Sequence, residues 1–358
     1  MAPDAPGSRR TLSGVRVLID TTYTRRAPLS GTGIYITRLC EELSACDGVQ
    51  LVQVANERRR PPAGGGLGSV RNLLGDLRWT AWELPRLARR HRAELIHHPL
   101  PARIPAARIP QVVTVVDLAF ERLPQHFARA YRLYAHITHQ AAALAARVVI
   151  CISETTAADA RELWHVPAER IVVAPLGPGQ ELAPSGSPRP QPAHFLYVGD
   201  DEPRKNLAVL LDAYRLYRAG ATEPLDLVLA GSAAARAPGV RLVSAPSAQD
   251  LRELYRHAAA LVHPSLYEGF GLTPVEAMAL GTPVLAARSP GIVEICADAV
   301  RYADARDARS FADAMAELAE DPVLRGELAR RGMRRAERFS WATCAQAHAE
   351  AYSLALGA

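Results

Sequence analysis

The sequence predicts two α/β domains of the doubly wound type, each built on a parallel sheet and facing the other across a cleft. Three observations lead there. The chain opens on a strand, a glycine-bearing loop and a helix: "GVRVLIDTTY" (14–23), "PLSGTG" (28–33) and "IYITRLCEEL" (34–43). That order starts a doubly wound unit. Short β-branched runs then alternate with helical stretches, which is the pattern of parallel α/β architecture. A Pro/Gly/Ser-rich stretch, "APSGSPRPQPAH" (183–194), interrupts this rhythm, and the rhythm restarts behind it. Such a segment reads as a domain linker, and 358 residues suit two domains.

The elements follow in order. In the first helix Ile34, Leu39 and Leu43 hold core-facing spacing. Further strands are expected at 49–55, 93–98, 111–117, 146–153 and 170–175, with helices at 126–146 and 154–164. The segment "NERRRPPAGGGLGSVRN" (56–72) breaks the pattern and reads as a mobile loop. After the linker, strands are expected at 195–200, 225–231, 239–245, 260–264 and 282–287. Helices fill 206–219, 248–258, 274–280, 307–319, 323–336 and 341–355. The domains therefore run over 1–185 and from 186 onward. Ligands of such sheets sit beyond the carboxyl ends of the strands, so the cleft between the domains is the expected site.

Composition narrows the class. The chain is 49% hydrophobic and 22% charged, as a globular protein is. Its five cysteines form no CxxC pair, which suits a reducing compartment. The opening "MAPDAPGSRR" has no apolar h-region, and no uncharged apolar run is long enough to span a membrane. The expected location is the cytoplasm, with at most peripheral contact at the inner membrane face. Residues 1–185 carry 23 Arg against 16 Asp+Glu, and residues 186–358 carry 19 Lys+Arg against 21 Asp+Glu. The basic first half suits an anionic partner such as anionic lipid or a phosphorylated substrate, or else an ordinary solvated surface. Nucleic acid is not an expected partner, since neither zinc-finger spacing nor an RNP-type motif is present.

Two stretches carry the chemistry. "GDDEPRKN" (199–206) contains Lys205, the only lysine among the 42 basic residues. "HPSLYEGFGLTPVEAMALGTPVLA" (263–286) runs from a strand end through a loop with Glu268, Gly269, Phe270 and Gly271 into a helix opened by Pro274. Glu276 is expected in its first turn, where the helix dipole favours a carboxylate. The glycines let backbone N–H groups approach a ligand, and the helix N-terminus can hold an anion. Two carboxylates thus flank a phosphate-binding turn. "DDE" (200–202) lacks the spacing of a metal-binding DxD motif and reads as an ion network beside Arg204. No metal is expected. His97 and His98 lie at a strand end and are candidates for acceptor contacts, and the four tryptophans read as packing residues.

Glu268-Gly-Phe-Gly-Leu-x-x-x-Glu276 resembles the E-x7-E signature of retaining glycosyltransferases of family GT4. "SGTGIYITRLCEEL", "SETTAADARELWHVPAERIVVAPLG" (153–177), "GDDEPRKNLAVLLDAY" and "ERFSWATCAQAHAEAYSLAL" (337–356) resemble further segments of the same family, along nearly the whole chain. The resemblance implies the GT-B architecture. It implies a donor domain over 186–337 and a closing segment 338–358 that packs back on the first domain. It implies a nucleotide-sugar donor, an acceptor hydroxyl and no essential metal or other cofactor. Glu276 would then bind ribose hydroxyls and Glu268 the donor sugar. Backbone amides of Phe270, Gly271, Leu272 and Thr273 would approach sugar and diphosphate, with Gly31 and Gly33 nearby. Lys205 matches the family's lysine that meets the diphosphate.

The chain departs from the family at two points. Asp200 stands where a basic residue is common, and Arg204 is the expected substitute, its fork suited to phosphate oxygens. Val116 stands where the family commonly has His before Asp117, which leaves Asp117 as the acceptor-side candidate there. The architecture is shared by sugar-nucleotide epimerases, glycoside phosphorylases and non-catalytic nucleotide-sugar binders, and these are the alternative readings.

Overall fold

A computed structural model describes residues 14–58, 67–105, 108–179, 191–232, 235 and 237–357. Two six-stranded sheets form, and every recorded strand pair is parallel. The first contains β1 (Val15–Asp20), β2 (Val49–Val54), β3 (Leu95–His98), β4 (Gln111–Val115), β5 (Val148–Cys151) and β6 (Ile171–Val173), in the order β2-β1-β3-β4-β5-β6. The second contains β7 (His194–Val198), β8 (Asp226–Ala230), β9 (Val240–Val243), β10 (Ala258–His263), β11 (Val284–Ala287) and β12 (Arg301–Ala303), in the order β12-β11-β10-β7-β8-β9. Strand order reverses between β1 and β3 in one sheet and between β7 and β10 in the other. Such reversal points open a crevice at the carboxyl ends of the strands.

The inner strands β3, β5, β10 and β11 are buried along their whole length, which is why they read as near-continuous apolar runs, whereas the edge strands β2 and β9 expose part of theirs. Helix Gly31–Ala45 starts at Ser30, whose side chain accepts from the Gly33 N–H, and buries Tyr35, Ile36, Leu39 and Leu43. Helix Glu154–Trp164 is capped in the same way by Ser153, and helix Trp341–Leu356 by Ser340. This last helix crosses back and packs against Gly31–Ala45 and the first sheet.

Several expectations need correction. Residues 67–72 are not loop: they begin helix Leu67–Arg78, followed by a π-helical turn Trp79–Glu83 and helix Leu84–Arg90. The rest of that expected loop, 59–66, falls outside the described residues, as does most of the linker. Strand β12 and helix Pro290–Cys296 were not foreseen. Trp82 is no packing residue, being 62% exposed, whereas Trp79, Trp164 and Trp341 are buried. No helix among the described residues is long and apolar enough to cross a membrane.

Candidate active site

The neighbours β7 and β10 bring two distant loops together at the reversal point of the second sheet. The loop after β7 ends in the short turn Pro203–Lys205 and then Asn206, a left-handed residue. Asn206 donates to the carbonyls of Pro264 and Ala305, and the Leu266 N–H donates to the Arg204 carbonyl. These bonds pin 203–206 against 264–268, and Lys205 Nζ then lies 2.6 Å from Glu268 Oε1. Arg204 donates from Nη1 to Glu268 Oε2 at 3.3 Å and pairs through Nε with Glu202 at 2.9 Å. The expected ion network is present at Glu202, while Asp200 is exposed and accepts from Ser232.

The Glu268 carboxylate is buried. Burial alone would push its pKa up. Lys205, the adjoining His263 and Arg204 outweigh that and hold it well below the usual carboxylate range. His263 Nε2 lies 3.3 Å from Glu268 Oε1. Burial drives the His263 pKa down, and its Nδ1 lies 3.3 Å from Thr273 Oγ1. No motif singles out His263. Its place at the end of β10, just before the loop with Glu268, was the available signal.

Glu276 occupies a different environment. Helix Leu272–Ala279 begins two residues before Pro274, with Gly271 at φ 101° as its cap, so Glu276 sits in the second turn and not the first. Its Oε2 accepts from Tyr255 Oη at 2.8 Å. A Cβ on Gly179 would lie 2.2 Å from Oε1, so any larger residue there would push the carboxylate aside. Burial lifts the carboxyl to about 7, and the Tyr255 bond opposes this. Tyr255 and Gly179 were missed, since no motif marks either.

The first domain closes over this cluster. A Cβ on Gly269 would strike the Val116 carbonyl oxygen at 2.0 Å and the Asp117 Cβ at 3.0 Å, and one on Gly31 would touch Leu272 at 3.3 Å. Gly33 is also crowded, a Cβ there meeting the Ala27 carbonyl at 2.1 Å. Tyr267 donates to Asp159 and accepts from the Leu118 N–H. Glu294 accepts from the N–H groups of Glu154 and Thr155 at 2.8 and 2.7 Å. Asp117 accepts locally from the Ala119 N–H, and its charge, after those of the burial and Glu268, acts on Arg204. Phe270 turns its ring inward, edge-on to Phe339, so only its backbone faces the loop side. His98 departs from expectation. It is buried, with Nε2 on Gln111 Oε1 at 3.0 Å, because the loop after β3 folds back over it. It does not present an open acceptor contact. Among the described residues no group of His, Cys, Asp and Glu is arranged to hold a metal ion.

Two facing doubly wound domains, with a glycine loop opposite an acid–cation cluster, define a class, and sequence comparison agrees. The profile described as Glycosyltransferase Family 4 matches residues 29–177, and that described as Glycosyl transferases group 1 matches residues 180–337. The chain is a GT4-type glycosyltransferase of the GT-B fold. It is 27% identical to O-antigen chain mannosyltransferase B of Escherichia coli, over 94% of this chain and 99% of that one. It is 33% identical to a D-inositol 3-phosphate glycosyltransferase of Streptomyces avermitilis, over 57% of this chain and 51% of the relative, so it matches only about half of that protein's length. Among solved structures, the sucrose-phosphate synthase of Thermosynechococcus elongatus shares the fold at TM-score 0.73 and 20% identity, covering 94% of this chain and 98% of the other. HepE of Anabaena, solved with UDP and glucose, shares it at TM-score 0.70 and 18% identity, covering 95% and 99%.

Proposed function

We propose that the chain is a retaining, metal-independent glycosyltransferase that moves a sugar from a nucleoside diphosphate sugar to an acceptor hydroxyl of a glycan, a lipid-linked glycan or a natural product. The observation that carries this reading is the contact of Lys205 and Arg204 with Glu268 at the carboxyl end of the donor-side sheet. Lys205 pairs with Glu268 alone, and Arg204 divides between Glu268 and the exposed Glu202, so both cations can turn to a more strongly charged anion. A leaving diphosphate develops negative charge, and preorganised cations stabilise it in the transition state. The diphosphate competes with Glu268 for Lys205, and the freed carboxylate is available to accept from a sugar hydroxyl.

In the reaction the bond from the anomeric carbon to the diphosphate oxygen breaks. The acceptor oxygen bonds to that carbon on the same face, and its proton passes to the leaving diphosphate. Glu276 accepts from ribose hydroxyls once Gly179 moves off its carboxylate. Backbone N–H groups of Gly269 to Thr273 and the loop at Gly31 and Gly33 approach the diphosphate, and Asp117 stands on the acceptor side. Cleft closure excludes water and aligns the partners. HepE, crystallised with UDP-glucose, lends support to such a donor.

The test has two stages. Thermal shift with UDP, GDP, dTDP and ADP should single out one base, because stabilisation follows RT ln(1 + [L]/Kd). NMR of the product made from the matching nucleotide sugar should then show the donor's anomeric configuration unchanged, in the presence of chelator. Inversion, or dependence on added metal, would overturn the reading.

A further inference from the structure

Outside the cleft, the first domain holds a pocket of about 500 Å³ between the helical run 79–90 and the loop that joins β3 to β4. Its apolar wall is made by Trp82, Ile96, Ile104 and Ile109. Ile96 and Ile104 are buried, and Ile109 packs with them against the face of the sheet. Three arginines also line it: Arg86, Arg89 and Arg108. The loop contains the tetrapeptide "ARIP" twice, at 102–105 and 107–110, and each copy sets an arginine beside one of these isoleucines.

The charges are unbalanced at this place. Residues 71–110 hold eight arginines against three carboxylates, a net +5 that equals the net charge of the whole chain. Two of those carboxylates already have partners other than the pocket's arginines. Glu83 takes Arg58 and Arg78, and Glu94 accepts from the Arg16 N–H. Arg86, Arg89 and Arg108 are exposed, and among the described residues none has a carboxylate partner. The Arg86 guanidinium lies 4.5 Å from the centre of the Trp82 ring, which positions it at the mouth. Leu74 and Leu77, one to two turns before Trp82, are 62% and 57% exposed.

We propose that this pocket binds a phosphate ester carrying a hydrocarbon chain. The chain lies against the isoleucines and Trp82, and the phosphate sits among the three arginines, whose planar forks match phosphate oxygens. The volume falls within the range of small-molecule sites. An apolar wall alone would take a neutral ligand equally well, and arginines alone would take inorganic phosphate; their combination selects the amphiphilic anion. The helical run that walls the pocket is tied to the first sheet: Trp79 Nε1 donates at 2.8 Å to Asp20 Oδ2, at the carboxyl end of β1. The binding proposal does not depend on the sugar-transfer reading.

The experiment is calorimetry on the full chain with dodecyl phosphate below its aggregation threshold, with inorganic phosphate and dodecanol in parallel. Dodecyl phosphate should bind, and both comparison compounds should bind at least about tenfold more weakly. The combined variant Arg86→Gln, Arg89→Gln, Arg108→Gln changes exposed side chains and should keep the wild-type unfolding midpoint and nucleotide response. It should lose about tenfold or more in dodecyl phosphate affinity. Trp82→Ala should weaken dodecyl phosphate and leave inorganic phosphate unaltered. Equal affinity for dodecanol or for inorganic phosphate, an unaltered affinity in the triple arginine variant, or no binding of dodecyl phosphate overturns the proposal. Vesicles containing phosphatidylglycerol separate the two sources of the ligand. Competition between vesicles and dodecyl phosphate assigns the site to a membrane lipid, and independent binding assigns it to a singly delivered lipid phosphate.

Discussion

The two sheets share a plan, yet their reversal points are furnished differently. Between β7 and β10 the side chains are ions: Lys205, Arg204 and Glu268 lock one another, with His263 alongside. At β3, next to β1, they form a neutral mesh. His97 meets Thr114 at 2.8 Å and Tyr352 at 2.9 Å, and Tyr35 meets Thr114 at 2.8 Å and His348 at 2.9 Å. Burial keeps the pKa of His97 and His348 low, the latter at about 4, so neither carries charge near neutral pH. Ions held by other ions can exchange those partners for a charged ligand. A closed neutral mesh has nothing to exchange, and it serves to hold the last helix to the first domain.

The largest effect is expected where the ions are separated. Glu268→Ala leaves Lys205 and Arg204 without their shared counter-charge, and removal of one member of a buried ion cluster costs about 3–5 kcal/mol. Urea unfolding measures this, and an unaltered midpoint would show that the cations are hydrated. Lys205→Ala should lower kcat/KM about 100- to 1000-fold, the cost of deleting one preorganised transition-state contact. Lys205→Arg sharpens the point: if a compact ammonium is needed, this variant is slow as well, and full activity would reduce the lysine to a generic charge.

The mesh should answer to mutation in a different way. Tyr352→Phe leaves His97 Nδ1 unpaired in the interior, at a cost of about 1–3 kcal/mol of stability, and kcat should not change. A fall in kcat at full stability would break the contrast drawn between the two regions. The smallest effect is a pH dependence. Glu276 holds its proton up to about 7 in the folded chain. A raised carboxyl pKa stabilises the fold below the ordinary value, and that contribution fades as pH rises towards and through 7. Relative to Glu276→Gln, the wild-type chain should therefore lose stability over this interval, while nucleoside diphosphate affinity rises as the carboxylate forms. Tyr255→Phe should move both transitions to higher pH, because the bond that favours the ionised form is gone.

Much of this was legible in the sequence, for identifiable reasons. Buried inner strands announce themselves as apolar runs, and the partly exposed β2, β6 and β9 still carry valines and other aliphatic residues, so β1 to β11 were readable. The three-residue β12, with Arg301 and Tyr302 half-exposed, carries no such signal. Helix Leu67–Arg78 was hidden by the glycine-rich stretch before it. The spacing of Glu268 and Glu276 marked the donor loop, and Lys205 stood out by rarity. The meeting of Lys205 with Glu268 joins residues 63 apart through Asn206, and no local pattern encodes it. The opposite pKa shifts of the two glutamates were likewise illegible, since they depend on Lys205 overcoming burial in one case and on burial, opposed by Tyr255, in the other.

The return of helix Trp341–Leu356 to the first domain has a consequence for how the molecule comes into being. A chain made from its N-terminus produces Tyr35, His97 and Thr114 long before His348 and Tyr352, the residues that close their hydrogen bonds. The first domain therefore finishes packing only after the second has been synthesised. The two halves are not separable parts: a first half expressed alone would keep buried polar groups waiting for a clasp that lies beyond the whole second sheet.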